Sequence, residues 1–427
     1  MLVQGRDTFR FDTFGDEAFW GDTLQLHKAI EGSKFGGVGA GVSPATALSV
    51  GLKVDAAALP DSLVSDVKNG KVDLNDPATT LALLKLNAVV GVTGFFNSDG
   101  SLKSVGIQCA LCHSTVDKSF STSAIPAGNI GQRLDGWPNR DLNVGAIVSL
   151  APNLQPVADA LSTDAKSVDV ATVKKVLAAW GPGKFDAELF LDGKGFNPQQ
   201  MTNGVVTGTN VSAATLIPPA YGLAGFDLHT WTGWGSVTYW NAFVANLEMH
   251  GIGRFFDPRL NDPVRFPLAV KNKLFDVQRD PDDDRITSKL AALHVYQLSI
   301  PSPKPEILAF EKGPVNRGDE LFSGKAKCNT CHSEPLWTEP GWNMHTAKEV
   351  CIDDFQASRA PDDRYRTAPL GGIAFRTNAT TGIGPFYHDG RFKTLLDVVN
   401  HYNDPACMNL GLTDAEKSDL IAYIMSL

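Results

Sequence analysis

The sequence predicts a mainly α chain with long loops and little sheet, built as two tandem domains of one kind. Three observations predict it. The pentad Cys-x-x-Cys-His occurs twice, comparable material follows each copy, and helix-start signals recur while period-two alternation is scarce.

The first copy, GIQCALCHST, holds Cys109, Cys112 and His113; the second, SGKAKCNTCHSE, holds Cys328, Cys331 and His332. This pattern reads as covalent c-type haem attachment: two thiols three residues apart add to the two vinyl groups, and the adjacent His ligates the iron. Structural zinc wants four ligands, such as two Cys-x-x-Cys pairs folded together, whereas each pair here has its own His and its own domain-sized segment. A redox dithiol wants a neighbouring βαβ unit and has no use for a His on both copies. The expectation is two covalently bound c-type haems with His113 and His332 as proximal ligands, which makes the fold two tandem cytochrome c-like haem domains.

Comparable material follows each copy. TLIPPAYGLAG (215–225) and WTGWGSVTYWNAFVANLEMHG (231–251) come after the first, YRTAPLGGIAF (365–375) and FYHDGRFKTLLDVVNHYND (386–404) after the second. In both, a Pro-containing turn leads to a Gly-anchored loop and then a helix. Helices are also signalled in DVATVKKVLAAW and in LTDAEKSDLIAYIMSL, where a Thr cap precedes Glu by three residues and Leu420, Ile421, Ile424 and Leu427 keep helical spacing. The Pro- and Asp-laden FDPRLNDPVRFPLAVKNKLFDVQRDPDDDRITSKL reads as a linker. The expected domains are 1–255, with extensions around the first motif, a linker region over 256–305, and 306–427.

The 427 residues suffice for two or three cores, and a net charge of −9 with pI ≈ 5.5 disfavours nucleic acid, which needs clustered Lys and Arg. No window approaches the roughly 18–20 apolar residues of a membrane span. Haem attachment of this type points to the periplasm or a secreted location. The N-terminus MLVQGRDTFRFDTFGDEAFW does not read as a signal peptide, so the expectation is a mature chain with an added or retained Met1. Cys351 and Cys407, which the motifs leave over, are candidates for a disulfide in the second domain.

RGDELFSGKAKCNTCH, YRTAPL, FYHDGRFKTLLDVVNHYN and LTDAEKSDLIAYIMSL resemble the C-terminal domain of bacterial di-haem cytochrome c peroxidases and their relatives, which include the enzyme that matures methylamine dehydrogenase and the rubber oxygenases. TFRFDTFGDEAFW, RLDGWPNRDLNVGA and IPPAYGL look closer to the rubber-oxygenase branch. The stretch 150–210 is weakly informative.

An iron with protein ligands on both faces mainly moves electrons, whereas one with a free face binds oxygen or peroxide. In the peroxidases the C-terminal haem takes a Met after the FHDG motif, and that position here is Tyr402, with His401 beside it. The resemblance implies His401 as the favoured sixth ligand of the second haem and Tyr402 as runner-up, since the methylamine-dehydrogenase-maturing enzyme uses Tyr. Met408, His345 and His388 are further candidates. For the first haem, SFSTSAIPAGNIGQRLDG offers neither His nor Met, and Ala245 and Asn246 align with His401 and Tyr402. An open first iron follows, unless Met201, Met249 or His250 closes it.

Tyr239, Trp240, Phe243 and Phe255 resemble the aromatic set near the active haem of rubber oxygenases; an ordinary core stripe is the plainer alternative. Glu248 and His250 are the nearest acid–base candidates. Trp231, Trp234 and Trp240 are candidates for an inter-haem electron path. The resemblance also implies a calcium ion, with Asn143 or Asn139 and the carbonyls of Ile383 and Pro385 matching by position. The expected function is an exported haem oxidoreductase that activates oxygen or peroxide at the first haem, served by a small redox donor protein or acting on a hydrophobic small substrate. A pure electron-transfer cytochrome is the alternative. Lack of an assigned proton donor tips the balance slightly towards oxygenase chemistry.

Overall fold

The computed structural model describes residues 1–208, 211–306, 310–376 and 384–427. The chain divides into two compact units, one of Met1–Gly193 with Asn241–Gln297, the other of Lys194–Trp240 with Leu298–Leu427. This differs from the division expected at 1–255, 256–305 and 306–427. Most of the expected linker is part of the first unit, and 194–240 belongs to the second. The Pro and Asp load of 256–297 reflects tight turns within a domain, because the segment ends in the helix Thr287–Leu298 that completes the first unit's core.

Helices dominate, and among the described residues every sheet has only two strands. The longest hairpin pairs Val92–Phe96 antiparallel with Leu102–Ile107, turning where Gly100 takes a φ of +87°. The mainly α expectation holds. No helix among the described residues is long and apolar enough to cross a membrane.

In the first unit, the helix Leu2–Phe11 crosses Thr287–Leu298. A Cβ on Gly5 would lie 2.0 Å from the Ala292 carbonyl oxygen and 2.7 Å from Tyr296 Cβ, so only glycine lets the helices approach this closely. One turn further on, Phe9 packs edge-on against Tyr296 with ring centroids 5.7 Å apart. Around this crossing lie Phe14, Ala110, Ala245, Met249, Ile286 and Leu293, with Cys109 against them.

The second unit repeats the device. Lys312–Ser323 crosses Asp414–Met425, and a Cβ on Gly318 would lie 2.1 Å from the Asp419 carbonyl oxygen and 2.7 Å from Tyr423 Cβ. Phe322 packs against Tyr423 at 5.2 Å. In each unit Gly precedes Phe by four residues, and the residue whose carbonyl meets the glycine precedes Tyr by four, which sets each pair on one helical face. Cys328 lies against this second core, as Cys109 does against the first.

Local sequence sets the helix ends. Thr413 and Glu416 form the capping box expected for Asp414–Met425, Thr394 and Asp397 form another for Leu395–Asn403, and Asp169 caps Val170–Trp180. Cys351 and Cys407 are disulfide-bonded, within the second unit.

Candidate functional site

In the first unit Cys109 caps a single helical turn, Ala110–His113, and the His113 amide donates to the Cys109 carbonyl at 3.1 Å. Residues three apart on such a turn share a face, so Cys109 and Cys112 present both thiols together with His113 following. The turn is tied down from outside. The Asn139 amide donates to the Cys112 carbonyl (2.9 Å) and the Gly136 amide to the His113 carbonyl (2.8 Å). Asp135 then accepts from Ser114 Oγ (2.9 Å), Arg10 Nε (2.5 Å) and the Tyr296 hydroxyl (2.5 Å), which links the motif to both helices of the crossing.

In the second unit Cys328–Thr330 form a 3₁₀ turn entered through Lys327 at φ 52°, and the His332 amide donates to the Cys328 carbonyl at 2.9 Å. His332 Nδ1 lies 3.1 Å from the Trp337 carbonyl oxygen. Donation from Nδ1 fixes the tautomer that leaves Nε2 free to bind a metal. Desolvation lowers the His332 pKa to about 4, so the ring is neutral, the form that ligates.

All four motif cysteines are free thiols. Burial pushes Cys109 and Cys112 up to about 12 and Cys328 up to about 11, and it raises Cys331 as well. A redox dithiol needs a stabilised thiolate, the opposite condition. Among the described residues, no cluster of three or more potential metal ligands contains both cysteines of either motif.

Two guanidiniums in the second unit test the fit of a haem directly. Arg366 donates through Nε to the Thr230 carbonyl (3.0 Å), but its buried Nη1 has no hydrogen-bond partner. Among the described residues Arg376, 6% exposed, donates to neutral oxygens, the Tyr221 hydroxyl at 3.2 Å and the Gly371 carbonyl at 2.7 Å. Burial, reinforced by Arg376, depresses Arg366 to about 9. Arg376 also acts electrostatically on His332. Two like charges sharing a buried environment beside a ligating His call for an anion. Haem propionates are such anions, so the residues fit the group.

His401, expected as the sixth ligand of the second haem, is 2% exposed, with Nδ1 2.9 Å from Asn203 Oδ1 and Nε2 3.0 Å from the Val350 carbonyl oxygen. Its ring nitrogens are engaged there, beside the Cys351–Cys407 disulfide. The next residue, Tyr402, points about 100° away around the helix, and both rings meet Tyr387, with centroids 5.6 and 6.1 Å apart. Burial raises its phenol to about 12, and the sulfurs of Cys331 and Cys328 add to that rise. Tyr402 thus shares the environment of the attachment thiols. Of the further candidates, His345 pairs with Glu339 at 2.7 Å and lies with it within 4.8 Å of Cys331 Sγ, buried His388 stacks on Tyr365 at 5.0 Å, and Met408 is 44% exposed. The YHDG stretch is a structural knot, in which Arg391 bridges Asp389 and Asp353, each at 2.7 Å, and donates to the Met201 carbonyl at 2.7 Å.

In the second unit Trp240 stacks on Trp234 with centroids 5.1 Å apart and 4° between planes, and Tyr239 meets Trp240 edge-on at 5.8 Å. In the first unit Phe243 and Phe255 form a T-shaped pair at 5.6 Å. Glu248 ends a π-helical turn, Val244–Glu248, the irregularity often found at functional sites. It is buried, and burial together with Glu188 and Asp186 raises its pKa well above the usual carboxylate range. His250 stacks on Phe19 at 3.7 Å and is neutral, desolvation taking its pKa to about 4. Met249 sits in the core. For the expected calcium ion, Asn143 Oδ1 is already accepting from the Ala146 amide (3.0 Å), and Asn139 donates to the Gly51 carbonyl (2.9 Å). Ile383 lies outside the described residues.

No family model matches the chain. Two curated proteins are similar to it. Cytochrome-c peroxidase IdrP1 of Denitromonas iodatirespirans is 27% identical over 244 residues, 45% of this chain and 63% of that protein. Methylamine utilization protein MauG of Methylophilus methylotrophus is 28% identical over 161 residues, 34% of this chain and 46% of that protein. The chain is a relative of the di-haem cytochrome c peroxidase superfamily. It spans less than two thirds of the length of either superfamily member, and neither of the two is a rubber oxygenase. Among solved structures, a MauG-like protein associated with microbial copper homeostasis aligns over 53% of this chain and 78% of its own, at 16% identity and a TM-score of 0.34.

The residues missed from sequence are Arg366, Arg376 and Tyr387. Arg366 lies inside the quoted YRTAPL, but an isolated Arg in a loop carries no mark of burial. Tyr387, at φ 69°, stands beside Tyr402 with centroids 6.1 Å apart, a contact made only by folding.

Proposed function

We propose that the chain is an exported di-haem c-type cytochrome working as an oxidoreductase, with one haem at Cys109, Cys112 and His113 and the other at Cys328, Cys331 and His332. The observation that carries this reading is the duplication: each Cys-x-x-Cys-His turn lies against its own Gly/Phe/Tyr helix crossing. When bound, the haems supply one-electron iron chemistry and, at an open face, a place for peroxide or dioxygen. The chain's residues do the rest. His113 and His332 would hold the irons, Arg366 and Arg376 would neutralise propionates, and Tyr402 rather than His401 would be the further ligand in the second unit.

Glu248 shifts the preference at the first haem from oxygenase to peroxidase chemistry. Its turn packs through Ala245 and Met249 into the core that holds Ala110 and Cys109, and its burial favours the protonated form. A small redox donor protein is the partner this reading requires. The apolar Phe243–Phe255 pair favours a second reading, oxygenase action on a hydrophobic small substrate.

Low-temperature electron paramagnetic resonance on the ferric holoprotein, with and without imidazole, tests the division of roles. A high-spin signal that imidazole converts, and that Cys109→Ala/Cys112→Ala removes, is expected. Two low-spin signals indifferent to imidazole would leave electron transfer as the function. Peroxide turnover lost in Glu248→Gln with the spectrum unchanged separates peroxidase from oxygenase.

A further inference from the structure

The first unit contains a cavity of about 90 Å³ that the attachment motif touches only through Leu111. Its wall is built by the hairpin Val92–Phe96/Leu102–Ile107 and the surrounding helices, with Leu84 and Val105 at 2% and 1% exposure marking its inner end. Three polar residues contribute to the lining, and none presents a polar atom to the space. Lys53 lines it with its methylenes while its ammonium pairs with Asp141 at 2.7 Å, and the Thr46 hydroxyl is spent on Ser43 Oγ at 3.1 Å. The remaining polar side chain, Thr80, keeps its hydroxyl buried.

Interiors seldom keep voids larger than a water molecule, and water stays only where two or more polar groups hold it. This space is several waters in size and offers none such groups. An engineered apolar cavity of about 150 Å³ stays dry and takes benzene or xenon, and the present one is of the same kind and somewhat smaller. Lining residues Thr46 and Leu150 are exposed, Leu150 to 43%, so the cavity has a route to solvent.

We infer that this cavity is a binding site for a small uncharged apolar molecule no larger than benzene, separate from the haem-attachment thiols. The inference stands on the cavity alone and does not depend on the number or ligation of haems.

Xenon is the probe. Crystals of the full haem-loaded chain pressurised with xenon should show an anomalous peak between Leu84, Val105 and Leu111, and the peak should vanish in Ile147→Phe, which fills the cavity from its wall. Ala47→Leu serves the same purpose from another helix should Ile147→Phe fail to fold. No peak in the cavity, ordered water filling it, or a peak that persists in the filled variant would overturn the inference. In solution, xenon or benzene should raise the wild-type melting temperature and have no effect on the filled variant; equal shifts in both would count against it.

Discussion

Gly318 and Tyr423 meet at the centre of the second unit, where a side chain on the glycine would come within 2.7 Å of Tyr423 Cβ; Gly5 and Tyr296 repeat the same distance in the first. The glycines are needed for closeness, since both sit in helices without positive φ.

Gly5→Ala and Gly318→Ala should each destabilise their own unit. Overpacking costs about 1–3 kcal/mol, and the obstacle here is backbone oxygen, which cannot swing aside. Urea unfolding of the two variants checks this, and wild-type stability in either would show that the helices slide apart without penalty.

Tyr402→Phe should change the absorption and paramagnetic spectrum of the second haem and shift its potential. His401→Gln, which can retain hydrogen bonds to Asn203 and Val350, should change neither. The reverse pattern would restore His401 as the ligand.

Cys351 and Cys407 close a loop with a sequence separation of 56. Chain-entropy arguments put the stabilisation at about 4 kcal/mol for a loop of this length, with the usual measured range about 2–4. Cys351→Ser/Cys407→Ser should lower the second unit's stability by an amount in that range in urea. It should also loosen Val350, the acceptor for His401, so hydrogen exchange should quicken at residues 347–352.

His250 predicts an acid limb. Its pKa in the folded chain, about 4, lies below the ordinary 6.5 because burial against Phe19 disfavours the charged ring. Between those values the unfolded chain binds a proton that the folded chain does not, so stability is kept above pH 6.5 and lost as pH falls towards 4. The loss is at most about 3 kcal/mol from this residue. Asn tolerates the left-handed backbone found at His250, φ 60°, so His250→Asn should flatten that limb in urea titrations at pH 4–7. An unchanged slope would assign the acid sensitivity elsewhere.

Features that depend on neighbours in the chain were legible. The capping box at Thr413, the mainly α character and the paired thiol turns each arise within a few residues, where spacing alone sets geometry. The domain boundary was not, because 194–208 meets its partners Asp353, Asp389 and Asp404 only across the fold.

By itself, then, the sequence determined what each motif could hold: two thiols and an imidazole per turn, in a chain with two cysteines to spare. Tertiary structure alone decided which side chains surround them. It turned His401 to the disulfide and Tyr402 to the thiols, though they are adjacent in sequence, because neighbouring positions on a helix point about 100° apart and only packing says which direction is inward. It buried Arg366 without an anion and Glu248 among carboxylates, and so set the charge states on which the chemistry rests. Burial is a sum over distant segments, and no local pattern encodes it.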